Sequence, residues 1–512
     1  MQKFEDYLKT TKEVGYVESI IHSVFYVNGI PSAKLHELVL TEQGHIGIVQ
    51  AILPELVEVM LIQGEGLSHN LRVVRTNETF VMPVTEKYLG RVISPFGIPV
   101  DELGPVGEVK THYPIDPHAP GINARSRVKE PMETGVVSVD MQVPIGKGQR
   151  ELILGDQKTG KTTFALQIIG NQASSGSVCV YVSIGKKRSD LKFVVKTLKD
   201  INALSQTVII SANASDPAPL IYLAPFAGLA VAEYFRDRGR EVVVIFDDLT
   251  THAKFYRETS LITRRTPGRQ SYPGDIFHLH ARLVERAGNF KKQNGKTRPI
   301  TLLPIAETLE GDLAGYIQTN LMAMTDGHVF FDVAEAKKGR HPAVSFTLSV
   351  SRVGNQTKTP LERELSRLIT EKLTAYRKAE EVSRFGVELT TQTLQALDQG
   401  EKLIKIFDQE SQIIIPKGLQ LIYLGLFFGG AWEKKTAKEV QVEKIRILGE
   451  YLQGKYGNLP IEAKLSTSVK ELVNNVITYF KLGKTTGEVK EEPKEKKEEK
   501  KPEEKKEPVT TS

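Results

Sequence analysis

The sequence predicts a multidomain protein with four parts: an N-terminal β-barrel, a central α/β domain built around a phosphate-binding loop, a C-terminal α-helical bundle and a disordered charged tail. Three observations predict it. Short β-rich runs broken by turn signals crowd the first 85 residues, strand-like and helix-like segments alternate from about residue 90 to 355, and apolar residues return at helical spacing from about 360 to 483.

The barrel is assigned to residues 1–85 on the runs Gly15–Ile20, Ser23–Val27, Ile46–Val49 and Glu58–Ile62, with Asn28-Gly29 as a turn dipeptide. Many short strands at this spacing suggest a small barrel. Residues 86–358 form the α/β domain, with buried strands expected at Glu151–Leu154, Val178–Ile184, Thr207–Ser211, Glu241–Phe246, Thr301–Ile305 and His328–Phe331. Residues 359–484 form the helical domain, in which Leu361–Tyr376 and Val440–Leu452 are both amphipathic. Residues 485–512 differ in kind: between 488 and 507 stand eight lysines and nine glutamates, interrupted by Pro493 and Pro502. With almost nothing apolar to bury, this run reads as a disordered, solubilising tail rather than a partner-binding segment.

Bulk properties narrow the class. At 512 residues the chain is too long for one core. It has 40% hydrophobic and 25% charged residues and no uninterrupted apolar run of about 18, so no membrane span is expected. The start, Met1 to Tyr7, lacks the apolar stretch of a signal peptide, and the single cysteine, Cys179, sits in an apolar run and reads as a core residue in a reducing compartment. A net charge of +6 is modest for this length and does not by itself argue for nucleic acid.

Chemistry enters at Gly155-Asp156-Gln157-Lys158-Thr159-Gly160-Lys161-Thr162, a complete G-x-x-x-x-G-K-[ST] loop. It lies between a short apolar strand and Thr163–Ile169, which has helical spacing. The glycines let backbone N–H groups turn inward, the helix N-terminus adds positive dipole, and Lys161 carries a mobile charge for the outer phosphates. Gln157, Lys158, Thr159, Gly160, Lys161, Thr162 and Thr163 are the nucleotide-binding candidates, with Mg²⁺ and ATP (or ADP) as ligands. The apolar strand ending in Asp247-Asp248 supplies an acid where the Mg²⁺ shell of such a site needs one, so Thr162 and Asp247 are the metal candidates.

Taken together, these motifs resemble the α subunit of F-type ATP synthases. The resemblance is carried by Pro144–Arg150, the glycine loop, Ile184–Ser189, Ser215–Leu220, Glu233–Asp237, Phe246–Leu249, Arg264–Arg269, Tyr272–Asp275 and Leu348–Gly354, in order along the chain. It runs from about residue 15 to 400 and weakens beyond. It implies a barrel crown, a RecA-like nucleotide domain and a helical bundle. It also implies β-type catalytic partners in an α3β3 ring, a γ-type central shaft, a peripheral stalk or other docking protein, and a cytoplasmic position at the face of a membrane complex.

One position then decides catalysis. Cleaving the γ-phosphate needs a group that orients the attacking water. The family's catalytic β subunits are similar in a Gly-Glu-Arg pattern there, whereas this chain reads Gly185-Lys186-Lys187-Arg188, with no acid along the chain until Asp190. A charged lysine cannot accept a proton, so this chain's own site is expected to be non-hydrolytic. Lys186 either points to solvent or contacts the γ-phosphate. The resemblance further implies that Arg352, with Ser349 of the same run, serves the neighbouring β site in trans as an arginine finger, stabilising charge on the transferring phosphoryl group.

The chain also departs from the family. Where α subunits resemble Phe-Tyr-Lys-Gly-Ile-Arg-Pro in the base pocket, this chain reads Ala336-Lys337-Lys338-Gly339-Arg340-His341-Pro342. Pro342 is kept, and Gln409 and Ser411 fall at the family's Gln-x-Gln pair. Weaker base contacts and stronger phosphate electrostatics are expected. Barely a dozen residues precede Val14, where synthase α subunits carry an amphipathic docking segment. An F-type-like motor repurposed for a task such as surface motility is therefore a second reading. An autonomous RecA-like hexameric translocase on nucleic acid is a third, disfavoured by the missing catalytic acid and the absence of aromatic clusters in the barrel region.

Overall fold

The computed structural model describes residues 3–64, 66–291, 297–384 and 390–482. The expected tail, 485–512, lies outside the described residues.

Six strands close the N-terminal barrel in the order Gly15–Ile21, Val24–Asn28, Val57–Gln63, Ile46–Ile52, Glu37–Thr41 and Arg72–Thr79, the last pairing back onto the first. Inward-facing Val17, Phe25, Val27, Val39, Val49, Val59 and Val73 fill it. Two of these strands escape a pattern search. Arg72–Thr79 has only Val73 and Val74 as apolar residues, and Arg75 is buried because Glu37 on the neighbouring strand lies 3.2 Å from its guanidinium. Closing the barrel pairs the two charges in place of water. An amphipathic helix, Phe4–Thr11, precedes the barrel and lays Phe4 and Tyr7 against Leu40 and Val74. The short segment before Val14 is thus a packed helix rather than a bare lead-in.

The central sheet has nine strands. Its main path runs Val350–Ser351, Gly327–Phe331, Glu151–Gly155, Thr297–Glu307, Val242–Asp247, Val178–Lys186, Thr207–Asn213 and Val92–Ile93, and Gly288–Lys291 pairs antiparallel beside Thr297–Glu307. Seven of the eight on the path are parallel, and Val350–Ser351 is antiparallel at the edge. Parallel strands covered on both faces read as continuous apolar runs, as Val178–Ile184 does. Alternate side chains divide between two cores. Val178, Val180 and Val182 face the helix Ala218–Asp237, while Cys179 and Tyr181 face the helix Lys161–Ser174.

Ala218–Asp237 is long and apolar enough to cross a membrane, with a mean hydropathy of 1.4, but 83% of that stretch is buried inside the molecule. Its apolarity is that of a core helix in the α/β layer. Beyond it, six helices, Pro360–Arg384, Thr391–Phe407, Lys417–Phe428, Ala437–Leu452, Leu459–Leu465 and Val469–Leu482, pack around Leu365, Leu403, Ile422, Leu424 and Leu472, with Trp432 buried among them.

Candidate functional site

The site lies at the carboxyl ends of the parallel strands, where open α/β sheets place their ligands. Gly155, Lys186, Asp247 and Glu307 each end a strand, and the register sets Ser183 beside Asp247 and Gly155 beside Glu307.

The loop from Gly155 to Thr162 needs its glycines. Gly155 has φ +153°, and a Cβ there would stand 2.3 Å from the Phe331 carbonyl oxygen on the next strand. Gly160 has φ +99° and forms the N-cap of the helix Lys161–Ser174, whose first turn leaves its N–H groups facing the loop. Thr159 Oγ1 donates to the Asp156 carbonyl at 2.7 Å. Lys161 is buried, and its ammonium donates to the carbonyls of Gly155 (2.8 Å) and Asp156 (2.6 Å). Burial depresses its pKa, opposed by Glu307, Asp248 and Asp247. Gln157 and Lys158 are exposed at the crest, and Gln157 Nε2 donates to Glu307 at 3.1 Å. Thr163 is half-buried one residue into the helix after Thr162.

Thr162 and Asp247 come together as expected: Thr162 Oγ1 donates to Asp247 Oδ2 at 2.9 Å. Tyr181 donates to the same oxygen at 2.6 Å, and its burial, together with Asp247, pushes its phenol well above the usual range, so it stays a donor.

Lys186 does not point to solvent. Its ammonium lies 2.9 Å from Asp247 Oδ1 and 2.8 Å from Asp248 Oδ2. The lysine side chain is 22% exposed and the two carboxylates 3% and 1%. Burial works against its charge, but Asp248 and Asp247 outweigh it and hold the pKa above the ordinary lysine value. In sequence the next acid after Lys186 is Asp190. In space two acids from another strand are in contact with it.

A hydroxyl and a carboxylate are the oxygen donors a P-loop Mg²⁺ takes, and Thr162 and Asp247 supply them. Their fit is in chemistry but not in charge, because Asp247 already holds an ammonium. Among the described residues no cluster of three or more His, Cys, Asp or Glu side chains is placed to bind a metal by itself.

The base-pocket candidates separate. Pro342 is half-buried and lines a small cavity of about 40 Å³ with Arg340, His341, Tyr376, Phe407 and Asp408. That volume is far below what a bound base needs, but two arginines and three aromatic rings line it, and of these Arg377, Phe346, Tyr376 and Phe407 lie outside the compared motif. Gln409 is buried with its amide committed, Nε2 donating to Gly135 (2.8 Å) and Ile413 (2.6 Å) and Oε1 accepting from Val137 N–H. It clamps the helical domain to the nucleotide domain rather than facing an open pocket. Ser411 is exposed.

Ser349 is likewise committed: its hydroxyl donates to the Ser345 carbonyl at 2.6 Å and accepts from Phe330 N–H at 2.9 Å, fixing the edge strand. Arg352 is exposed, with its backbone N–H on the Asp326 carbonyl and its guanidinium donating to the Met322 carbonyl at 3.2 Å. Ser351 pairs with Gly327, which is opposite Glu151, whereas the loop begins at Gly155 opposite Phe331. Arg352 therefore sits at the amino end of the parallel strands, about 13 Å along the strand direction and about 10 Å across from its own phosphate loop.

Sequence reasoning missed Asp248, Tyr181 and Glu307 as members of the site. Asp248 had a signal, the second acid of a doubled carboxylate. Glu307 ends a strand next to the loop strand, and Tyr181 is hidden in an apolar run.

Comparison with known proteins agrees with this architecture. Residues 135–351 match the family model described as ATP synthase alpha/beta family, nucleotide-binding domain, and residues 357–480 match the ATP synthase alpha/beta chain, C terminal domain. ATP synthase subunit alpha of Dictyoglomus turgidum is 38% identical over 93% of this chain and 94% of its own length. The subunit alpha of Neorickettsia sennetsu is 38% identical over 86% and 88%, and that of Macrococcus caseolyticus 39% identical over 81% and 82%. The chain belongs to the ATP synthase alpha/beta family and, within it, to the alpha subunits.

Proposed function

We propose that this chain is a non-catalytic, nucleotide-binding subunit of an F-type rotary ATPase that holds ATP or ADP on its own phosphate loop and serves catalysis next door. The observation that carries the reading is the side chain at the cleavage position: an ammonium, locked between two buried aspartates, where hydrolysis needs a group able to take a proton from water.

The binding half of the reading rests on the loop. Inward-turning N–H groups, the helix N-terminus and Lys161 recognise the di- or triphosphate, with Lys161 moving from the Gly155 and Asp156 carbonyls to the phosphate oxygens. Thr162 and Asp247 would hold Mg²⁺, which would supply charge neutralisation of the phosphates.

The second half concerns Arg352. Its side chain is exposed and remote from its own loop, so any phosphate it contacts belongs to another subunit. In an α3β3 ring with β-type partners around a γ-type shaft, it would act as an arginine finger, worth on the order of 10³–10⁵ in rate. Ser349 positions the strand that presents it. The complex would sit at the cytoplasmic face of a membrane assembly, with a peripheral stalk or other docking protein. Arg352→Lys in the assembled complex is expected to leave assembly intact and collapse ATP turnover, since an ammonium cannot reproduce the planar fork. Unchanged turnover would refute the role.

A further inference from the structure

The ordinary logic of a phosphate loop with an acidic strand end is that the acid leans on a divalent cation, and the cation bridges to the phosphates. In this chain a side chain already stands on the acid. The charges acting on Lys161 come from Asp247, Asp248, Glu307 and Lys186. Glu307 has Lys254 at 4.0 Å, while Asp247 and Asp248 share Lys186. Three carboxylates therefore stand against three ammonium groups, and these six charges cancel before any metal arrives. Without Lys186 the same set would carry a net negative charge, which repels a polyphosphate until a divalent cation offsets it.

The oxygens tell the same story. Asp247 Oδ2 accepts two hydroxyl hydrogens, from Thr162 and Tyr181, and Oδ1 has the ammonium at 2.9 Å. Asp248 accepts from Thr251 N–H at 2.6 Å and Thr251 Oγ1 at 3.1 Å besides its contact with Lys186. Asp248 is thus satisfied by the protein alone, while Asp247 Oδ1 has no hydrogen bond among the described residues and is compensated only by the ion pair with Lys186.

We propose that Lys186 is a built-in counter-cation, so that this site binds metal-free nucleoside di- and triphosphates about as tightly as their Mg²⁺ complexes. The inference rests on the nucleotide-site reading above and specifies the form of the ligand.

The test is calorimetric titration of the full-length chain with ADP and with ATP, once with Mg²⁺ and once with excess EDTA. It is run on the natural chain, on Lys186→Gln, which keeps a hydrogen-bonding group and removes the charge, and on Lys186→Arg, which keeps the charge. The natural chain and Lys186→Arg are expected to change affinity by less than about threefold on metal removal, and Lys186→Gln to weaken about tenfold or more, as loss of one nearby unit charge requires. Mn²⁺ added with nucleotide gives a second readout by electron paramagnetic resonance: bound Mn²⁺ should be tighter in Lys186→Gln than in the natural chain. If the natural chain loses affinity in EDTA as steeply as Lys186→Gln, the counter-cation is overturned while the nucleotide site stands. If no variant binds nucleotide with or without metal, the nucleotide site itself is overturned, and the inference with it.

Discussion

Replacing Lys186 by methionine removes one charge and keeps most of the buried stem, so the change isolates the ion pair from packing. In the natural chain the ammonium lies within 2.9 Å of carboxylates that are 3% and 1% exposed. Its loss leaves two adjacent buried negative charges, each still hydrogen-bonded: Asp247 by Thr162 and Tyr181, Asp248 by Thr251. Removing one partner of a buried pair costs about 3–5 kcal/mol, and the surviving hydrogen bonds hold the expected loss near the lower end, about 3 kcal/mol. Urea unfolding of the nucleotide-free chain near neutral pH, followed by near-ultraviolet circular dichroism, measures it. Adding Asp248→Asn to Lys186→Met should recover at least about 1 kcal/mol, because the neutral amide no longer needs the cation. A loss under about 0.5 kcal/mol for Lys186→Met would mean the ammonium is solvated and unpaired, and the electrostatic picture of the site would fall.

Two other perturbations bear on different parts of the account. Gly155→Ala places a methyl 2.3 Å from the Phe331 carbonyl at φ +153° and should cost roughly 2–4 kcal/mol as well as abolish nucleotide binding, both readable in one thermal-shift experiment with and without ATP. Burial lowers Lys358 and Lys444 to about 8 from the ordinary 10.5, with neighbouring Lys417 adding to the effect at Lys358. Above about pH 8 the unfolded chain holds protons on these lysines that the folded chain has released. These two lysines should therefore contribute stability that rises with pH between about 8 and 9.5, by up to about 1.4 kcal/mol per pH unit for each group, and a urea stability difference between the natural chain and the Lys358→Met/Lys444→Met variant that does not grow over that interval would contradict it.

How much of this was legible in the sequence depends on how local each signal is. The glycine loop, the strands around it and the amphipathic helices Pro360–Arg384 and Ala437–Leu452 are written in short-range pattern, and the structure has them where the pattern puts them. The strand Arg72–Thr79 is not, because its polar run is stabilised by Glu37, which is 38 residues away from Arg75 and on another strand. Lys186 is the same problem in the site. Its chemistry is set by Asp247 and Asp248, 61 and 62 residues downstream, and only the parallel pairing of Val178–Lys186 with Val242–Asp247 brings them together. Family pattern singled out Gln409 and Ser349, and their side chains turn to backbone carbonyls and hold elements in place. A motif records which residue stands at a position and is silent on which way its hydrogen bonds run.

The central claim is that this chain holds a nucleotide and does not cleave it. The direct measurement is to incubate the isolated full-length chain with radiolabelled ATP, separate bound from free ligand, and determine the chemical state of what is bound over many minutes. The account predicts about one nucleotide per chain, recovered as intact ATP with no phosphate release above background. Steady phosphate release from the isolated chain, abolished by Lys161→Ala, would contradict it.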